Sequence, residues 1–259
     1  MTLAPLGHLA KTPTGLHPDD TWAAMRRIVE DAISNQPRSL QTRIGPSELG
    51  TDCDRCLIHK LAGTAEIRGD VPWLPFVGTA VHAALEDIFI SANGSSPVRW
   101  LCETTVSVGE VGGVDITGHA DLFDLETGEV TDFKVVGATT LRNTKANGPS
   151  EQYRRQAHLY GHGFTRRGLH VTSVRIAYLP RNEPTLANAH IWHEPYDEQT
   201  ARSTLARANA LHAGITALGA ETVLQQAPPH SGSHQCSRYT DGPPSRRDVT
   251  NTTATLLNL

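Results

Sequence analysis

The sequence predicts a mixed α and β fold in which helical segments enclose a run of three strands. Three observations carry this. Apolar residues fall at helical spacing through residues 76–91. They then alternate with polar residues in three successive stretches between Trp100 and Val136, and return to helical spacing through residues 150–167. With 259 residues, 38% hydrophobic, the chain is long enough to bury a real core in one large domain or two small ones.

The elements follow in order. Pro5, Pro13 and Pro18 interrupt residues 1–18, which read as an irregular arm. Trp22, Met25, Ile28, Val29, Ala32 and Ile33 then take helical spacing behind Asp19 and Asp20, whose negative charge suits a helix start, and this helix ends before Pro37. Ser47 is placed to cap a shorter helix that carries Cys53 and Cys56 one turn apart and ends by Gly63. Pro72-Trp73-Leu74-Pro75 reads as a break. In the helix over 76–91, Phe76, Ala80, Ala83, Ala84, Ile88 and Phe89 form an apolar stripe, with His82 and Glu86 beside it.

Strands are expected at 100–108, 114–125 and 130–136. Glu126-Thr127-Gly128 makes the last two a hairpin, because its glycine can take positive φ. A helix over 150–167 places Tyr153, Ala157, Tyr160, Gly161 and Phe164 on one face. Two more β segments, 170–179 and 189–194, precede a helix over roughly 197–220. From Pro228 the chain is rich in Pro, Ser and Thr and reads as a disordered or poorly packed tail. The domain limits are therefore residues 1–46 for the arm and first helix, 47–222 for the core domain and 223–259 for the tail.

Composition excludes several classes. No apolar run approaches the roughly 18 residues that span a bilayer, so a soluble protein without membrane partners is expected. The N-terminus has no charged start followed by an apolar stretch, and four cysteines are too few for a disulfide scaffold, which points to a reducing cytoplasm. With 23 basic against 27 acidic residues the net charge is −4, so any polyanion must be held by a local patch. Only four of the basic residues are lysine, Lys134 among them. A lysine inside an organised motif of so arginine-rich a chain asks for a chemical reason.

That reason comes from strand geometry. Side chains two apart share a face, so Asp132 and Lys134 point one way while Phe133 and Val135 point the other. The hairpin brings Asp132 opposite a position within one residue of Asp121. Two adjacent carboxylates repel unless a cation neutralises them, and paired hard oxygens suit Mg²⁺ or Mn²⁺. Such a cluster serves phosphodiester hydrolysis, with Lys134 orienting or deprotonating the attacking water. Taken singly, each element has an ordinary reading: an Asp-x-Lys triplet in a strand is usually a solvated ion pair.

The ordered set is what distinguishes this chain. Gly78 to Glu86 around His82, Gly118-His119-Ala120-Asp121, Asp132-Phe133-Lys134 and Gln156-Ala157-His158-Leu159-Tyr160 resemble, in that order, the PD-(D/E)XK nucleases of the RecB type. They resemble more closely the CRISPR-associated RecB-like exonucleases and their relatives in actinobacterial phages. The likeness spans about residues 47–196. It implies an α/β (α+β) fold with a PD-(D/E)XK restriction-endonuclease-like core, a central mixed sheet flanked by helices. It also implies a metal held by His82, Asp121, Asp132 and the Phe133 carbonyl, Lys134 acting on the water, and Gln156 and Tyr160 near the DNA.

The function so implied is that of a Mg²⁺- or Mn²⁺-dependent DNA exonuclease acting on single strands or duplex ends. Its setting would be phage or host recombination, repair or replication, with a recombination or replication protein as partner. The alternative is a catalytically weak DNA-binding adaptor that keeps the fold. Residues 142–167 supply a local patch, with Arg142, Lys145, Arg154, Arg155, Arg166 and Arg167 against the single acid Glu151. Arg142, Lys145, Arg154, Arg155, Gln156 and Tyr160 are thus the candidate DNA contacts.

The cysteines follow the resemblance only in part. Many relatives carry a [4Fe-4S] cluster on one cysteine ahead of the core and three near the C-terminus. Asp52-Cys53-Asp54-Arg55 is similar to the first part and Cys236 stands where the second begins, but Tyr239 occupies the next ligand position and no cysteine follows. A cubane needs four ligands. Cys102 falls on an expected core strand, so Cys53, Cys56 and Cys236 make three. The sequence leaves three readings: a cluster completed by a ligand such as His234, a Zn²⁺ site of those cysteines with His234, or plain thiols.

Overall fold

The structure is a computed structural model that describes residues 18–35, 44–67, 69–94, 97–228 and 236–239. The chain divides into two compact units, Met1–Gln41 with Gly69–Phe76, and Thr42–Arg68 with Val77–Leu259. In the first, helix α1 (Pro18–Ser34) begins with Asp19 and Asp20 in its first turn, as the sequence predicts. Its Trp22, Met25 and Ile28 are exposed.

The second unit is a five-stranded mixed sheet flanked by helices, of the α+β class. Strands β1 (Trp100–Val111), β2 (Val114–Asp124), β3 (Glu129–Val136), β4 (Ser173–Pro180) and β5 (His190–Pro195) lie in that order across it. Every neighbouring pair is antiparallel except β3 and β4, which are parallel. A parallel pair needs a long crossover. Here it consists of two helices, α5 (Ala138–Asn147) and α6 (Glu151–Arg166), the latter capped by the Ser150 side chain, which accepts from Tyr153 N. Helix α5 is absent from the sequence reading: Ala-Thr-Thr-Leu-Arg-Asn-Thr-Lys-Ala-Asn is polar nearly all round, and only Leu141 and Thr144 are buried.

Helix α6 lies on the sheet with Ala157, Tyr160 and Phe164 buried, and the Phe164 ring stacks on Phe123 of β2 at 4.5 Å between centroids. Its other flank is tied down by polar contacts around the buried His158. Asp197 N donates to His158 Nδ1 (3.2 Å), which leaves the proton on Nε2 to be donated to Glu194 (2.5 Å) of β5. Two helices follow β5, α7 (Glu198–Leu218) and α8 (Ala220–Gln226), separated by Gly219. The last helical stretch thus runs beyond its expected end near 220.

Upstream, the expected single helix is two. Helix α2 (Pro46–Leu49) is preceded by Gly45, whose amide donates to Glu48 Oε2 (2.9 Å), so Ser47 sits inside the helix and is not its cap. Proline suits this first position because its missing N–H has no intrahelical partner to lose. Helix α3 (Asp54–Leu61) is capped by Cys53, whose sulfur accepts from Cys56 N. Helix α4 (Trp73–Ala92) starts three residues earlier than expected, because Pro75 falls in the first turn, where no i−4 bond is lost. By length and composition alone α4 is apolar enough to cross a membrane, which the sequence reading did not anticipate.

The β2–β3 hairpin forms where expected, but its loop has four residues, 125–128, where a three-residue turn, Glu126-Thr127-Gly128, is expected from sequence. Gly128 takes φ +71°, its amide donates to Asp124 O (2.8 Å), and Asp124 faces Glu129. Gly118 of β2 serves closeness instead of conformation. A Cβ there would stand 2.7 Å from the Pro46 ring and 3.1 Å from Tyr160, so its bare backbone is what lets α2 and α6 meet β2. Replacing Gly118 by Val is expected to destabilise the protein by about 1–3 kcal/mol through overpacking. Denaturant unfolding checks this, and an unchanged midpoint would contradict the close approach.

Candidate metal centre

The register of the first three strands lines up three carboxylates. The β2–β3 ladder runs from Asp124↔Glu129 to Leu122↔Thr131, so its next step sets Asp121 toward Asp132. On the other side, Cys102↔Leu122 and Thr104↔Ala120 bracket Glu103 with Asp121. Beyond Leu122 the strands part, and the ladder is continued by a side chain: Phe133 N donates to Asp121 Oδ2 (2.6 Å). The carboxylate therefore takes a backbone acceptor's place and is fixed there.

Helix α4 brings His82 to this point. Its Nδ1 lies 3.2 Å from Asp121 Oδ1 and 3.8 Å from Glu103 Oε1. Phe133 and Phe89 hold the helix against this face of the sheet, with ring centroids 5.9 Å apart. His82, Glu103 and Asp121 offer ligand atoms all within 4.8 Å of one another. Glu103 is absent from the sequence reading. Among the described residues it is the one non-glycine with positive φ, at 41°, a costly conformation of the kind found at functional sites. The signal that finds it is an acid inside an otherwise uncharged stretch of alternation, one strand over from Asp121.

Asp132 and Lys134 share the opposite side of β3, as strand periodicity requires. Asp132 is 2% exposed, and its Oδ2 lies 2.7 Å from Lys134 Nζ. Lys134 Nζ also donates to Gln156 Oε1 (3.0 Å) and stands 4.6 Å from the Tyr153 ring centroid. Gln156 Nε2 in turn donates to Tyr160 Oη at 3.5 Å. Both α6 residues are 6% exposed, so they support Lys134 from behind. Tyr153, read from sequence only as a helix-face residue, forms one wall of the lysine's seat.

The charges of these side chains are tightly coupled. Hydrogen bonds to Asp121 and Glu103 outweigh burial and hold His82 up at about 10. Burial pushes Asp132 up to about 6, with Lys134 drawing it down and Asp121 pushing it further up. For Lys134, burial disfavours the charge, but Asp132 and Asp121 more than offset this and keep its pKa above the ordinary lysine value. Asp132 Oδ2 is neutralised by Lys134 Nζ at 2.7 Å, while His82, Glu103 and Asp121 offer one imidazole nitrogen and two carboxylate oxygens within 4.8 Å of one another, a donor set that fits a divalent cation.

The basic patch is only partly available. Arg154 Nε pairs with Glu194 (2.6 Å), and Arg155 donates to Gly50 O and Thr51 O and lies 3.7 Å from Glu151. Both are engaged in holding α6. Arg142 and Lys145 project from α5 into solvent, immediately after the strand that carries Lys134, and Arg166 and Arg167 are exposed at the far end of α6.

Cys53, Cys56 and Cys236 converge in a separate buried cluster. Cys236 Sγ is 3.2 Å from Cys53 Sγ and 3.0 Å from Cys56 Sγ. Hydrogen bonding to Cys53, burial and Cys236 all push the Cys56 thiol well above its ordinary value. Cys102 stands apart on β1, and His234 lies outside the described residues. Cys236 and Tyr239, in the stretch expected to be poorly packed, are both buried.

No family model matches the chain, and no curated protein matches it. Among solved structures it is similar to an alkaline exonuclease from Laribacter hongkongensis, with 13% identity over 71% of this chain and 93% of that one and a TM-score of 0.49. A structure of that enzyme in complex with dAMP gives 15% identity over the same shares, also at 0.49. A phage-related exonuclease from Haemophilus somnus 129PT gives 11% identity over 67% and 95% of the two chains, at 0.46.

A metal at this site must displace the proton that His82 carries, since only neutral imidazole ligates. Mn²⁺ binding is therefore expected to release a proton and to tighten as pH rises toward 10. Calorimetric titration in two buffers of different ionisation enthalpy checks this. Identical heats in both would contradict His82 as a ligand.

Proposed function

We propose that the protein is a metal-dependent deoxyribonuclease of the RecB-like PD-(D/E)XK type. It would degrade DNA from single-stranded or duplex ends, in phage or host recombination, repair or replication within the bacterial cytoplasm. The observation that carries this reading is the single constellation in which His82, Glu103 and Asp121 meet beside the Asp132–Lys134 pair.

His82, Glu103, Asp121 and Asp132, with the Phe133 carbonyl, are the residues that would hold Mg²⁺ or Mn²⁺. When bound, that ion supplies Lewis acidity and a water of lowered pKa. The chain's own groups do the rest. Lys134 is held by Asp132, Gln156 and Tyr153, so its ammonium is fixed in direction. It can orient an attacking water and neutralise charge growing on a phosphate oxygen without reorganising. Gln156 and Tyr160 act through Lys134 and set its position.

A cavity of about 320 Å³, lined by Thr140, Asn143, Ser150, Tyr153 and Tyr178, shares with Lys134 the Tyr153 ring. Arg142 and Lys145 on the same helix as Thr140 and Asn143 are the free cations best placed to draw a phosphate backbone toward it.

Lys134→Ala and Lys134→Arg are both expected to lose about 10²–10³-fold in Mn²⁺-dependent degradation of end-labelled DNA, as when a positioned charge is removed from an active site. The arginine variant keeps a charge beside Asp132, so its loss separates chemistry from folding. Full activity in either variant would contradict the mechanism. A wild type inactive on every DNA end, yet still binding DNA, would favour the adaptor reading. Charge reversal at Arg142 and Lys145 should weaken single-strand binding and flatten its salt dependence, as read by fluorescence anisotropy across a salt series. Unchanged affinity and slope would remove these residues from the DNA path.

A further inference from the structure

We infer that Cys53, Cys56 and Cys236 form a mononuclear zinc-thiolate site that clasps the segment around Cys236 to helices α2 and α3, in place of the [4Fe-4S] cluster that many chains of the family it resembles carry. The three sulfurs lie within 4.8 Å of one another, with contacts of 3.0 and 3.2 Å. Three thiolates each about 2.3 Å from one tetrahedral ion stand about 3.8 Å apart. Small side-chain rotations connect the two arrangements. In a cubane each thiolate reaches a different iron, which needs a wider spread and a fourth ligand.

The place for that further ligand is filled. Tyr239, where a C-x-x-C beginning at Cys236 would need its second thiolate, is 3% exposed and stacks on His59 with ring centroids 4.1 Å apart. Its hydroxyl reaches Glu66 Oε1 at 3.5 Å, and Ile67 N donates to Arg238 O (2.8 Å). A ring seated by stacking and hydrogen bonding thus stands where a cubane would need its next thiolate.

Two local features suit a single soft cation. Cys53-Asp54-Arg55-Cys56 has zinc-ligand spacing, and the Cys56 amide points at Cys53 Sγ (3.4 Å), an N–H···S contact that stabilises thiolate charge. Cys56 also lines a cavity of about 220 Å³ with Lys60, Glu66 and Tyr239, which leaves room for a solvent-derived fourth ligand. The clasp has reach beyond itself. Gln152 Nε2 donates to Ser47 O, and Arg155 donates to Gly50 O and Thr51 O, so the α2–α3 segment braces the helix that carries Gln156.

The test is the metal content of the full chain, purified anaerobically without chelator. Mass spectrometry of the elements is expected to find one zinc per chain and no stoichiometric iron, in a colourless protein. Titration with an organomercurial should release the zinc in step with thiol modification, and stripping should lower Tm. Cys236→Ser should lose the zinc, and Cys102→Ser should keep it. Stoichiometric iron with visible absorbance would overturn the proposal. So would a metal-free protein whose thiols all react freely, or one holding a disulfide among these three. If Cys236→Ser does not fold, the wild-type stoichiometry and the mercurial release still decide. None of these readouts uses DNA cleavage, so this inference and the nuclease reading stand or fall separately.

Discussion

The Asp132–Lys134 pair, buried where β2 and β3 part, is the interaction on which the rest of the structure depends. A buried carboxylate next to a second carboxylate is tenable only with a cation at hand, and Lys134 supplies one at 2.7 Å. The lysine must in turn be seated, and Gln156 and Tyr153 of α6 do this. Helix α6 can lie close enough because Gly118 presents bare backbone to Tyr160 and because His158 and Arg154 anchor its outer flank to Glu194. The fold can be read outward from one ion pair.

The parting of the strands is equally part of the site. A regular ladder would use the Phe133 amide against backbone and leave no opening. Here Asp121 accepts that hydrogen bond through its side chain and remains available to His82 through its other oxygen. One residue closes the sheet and opens the centre. The positive φ of Glu103 on the neighbouring strand is the corresponding adjustment on β1.

Much of this was legible in the residues because periodicity and turn chemistry speak locally. The alternation through β1, β2 and β3 and the glycine ending at Gly128 predict the hairpin, and its register brings Asp132 to within one residue of Asp121. What was not legible depended on partners distant in sequence. Helix α5 has hardly any apolar stripe of its own and is stabilised by what it lies against. Pro72 to Pro75 reads as a break until one sees that Pro75 occupies a first turn. Arg154 and Arg155 look like a free basic patch, yet Glu194 and the carbonyls of residues 50 and 51 already hold them. Glu103 was hidden for the opposite reason. An acid in a strand is ordinary, and only its register opposite Asp121 gives it meaning.

The central claim is that the opening between β2 and β3 holds a divalent cation. A crystal grown with Mn²⁺ and measured at its absorption edge tests it most directly. The account predicts an anomalous peak bounded by His82, Asp121 and Asp132. Strong Mn²⁺ density elsewhere, with the His82–Asp121 contact intact and no peak between the strands, would contradict it.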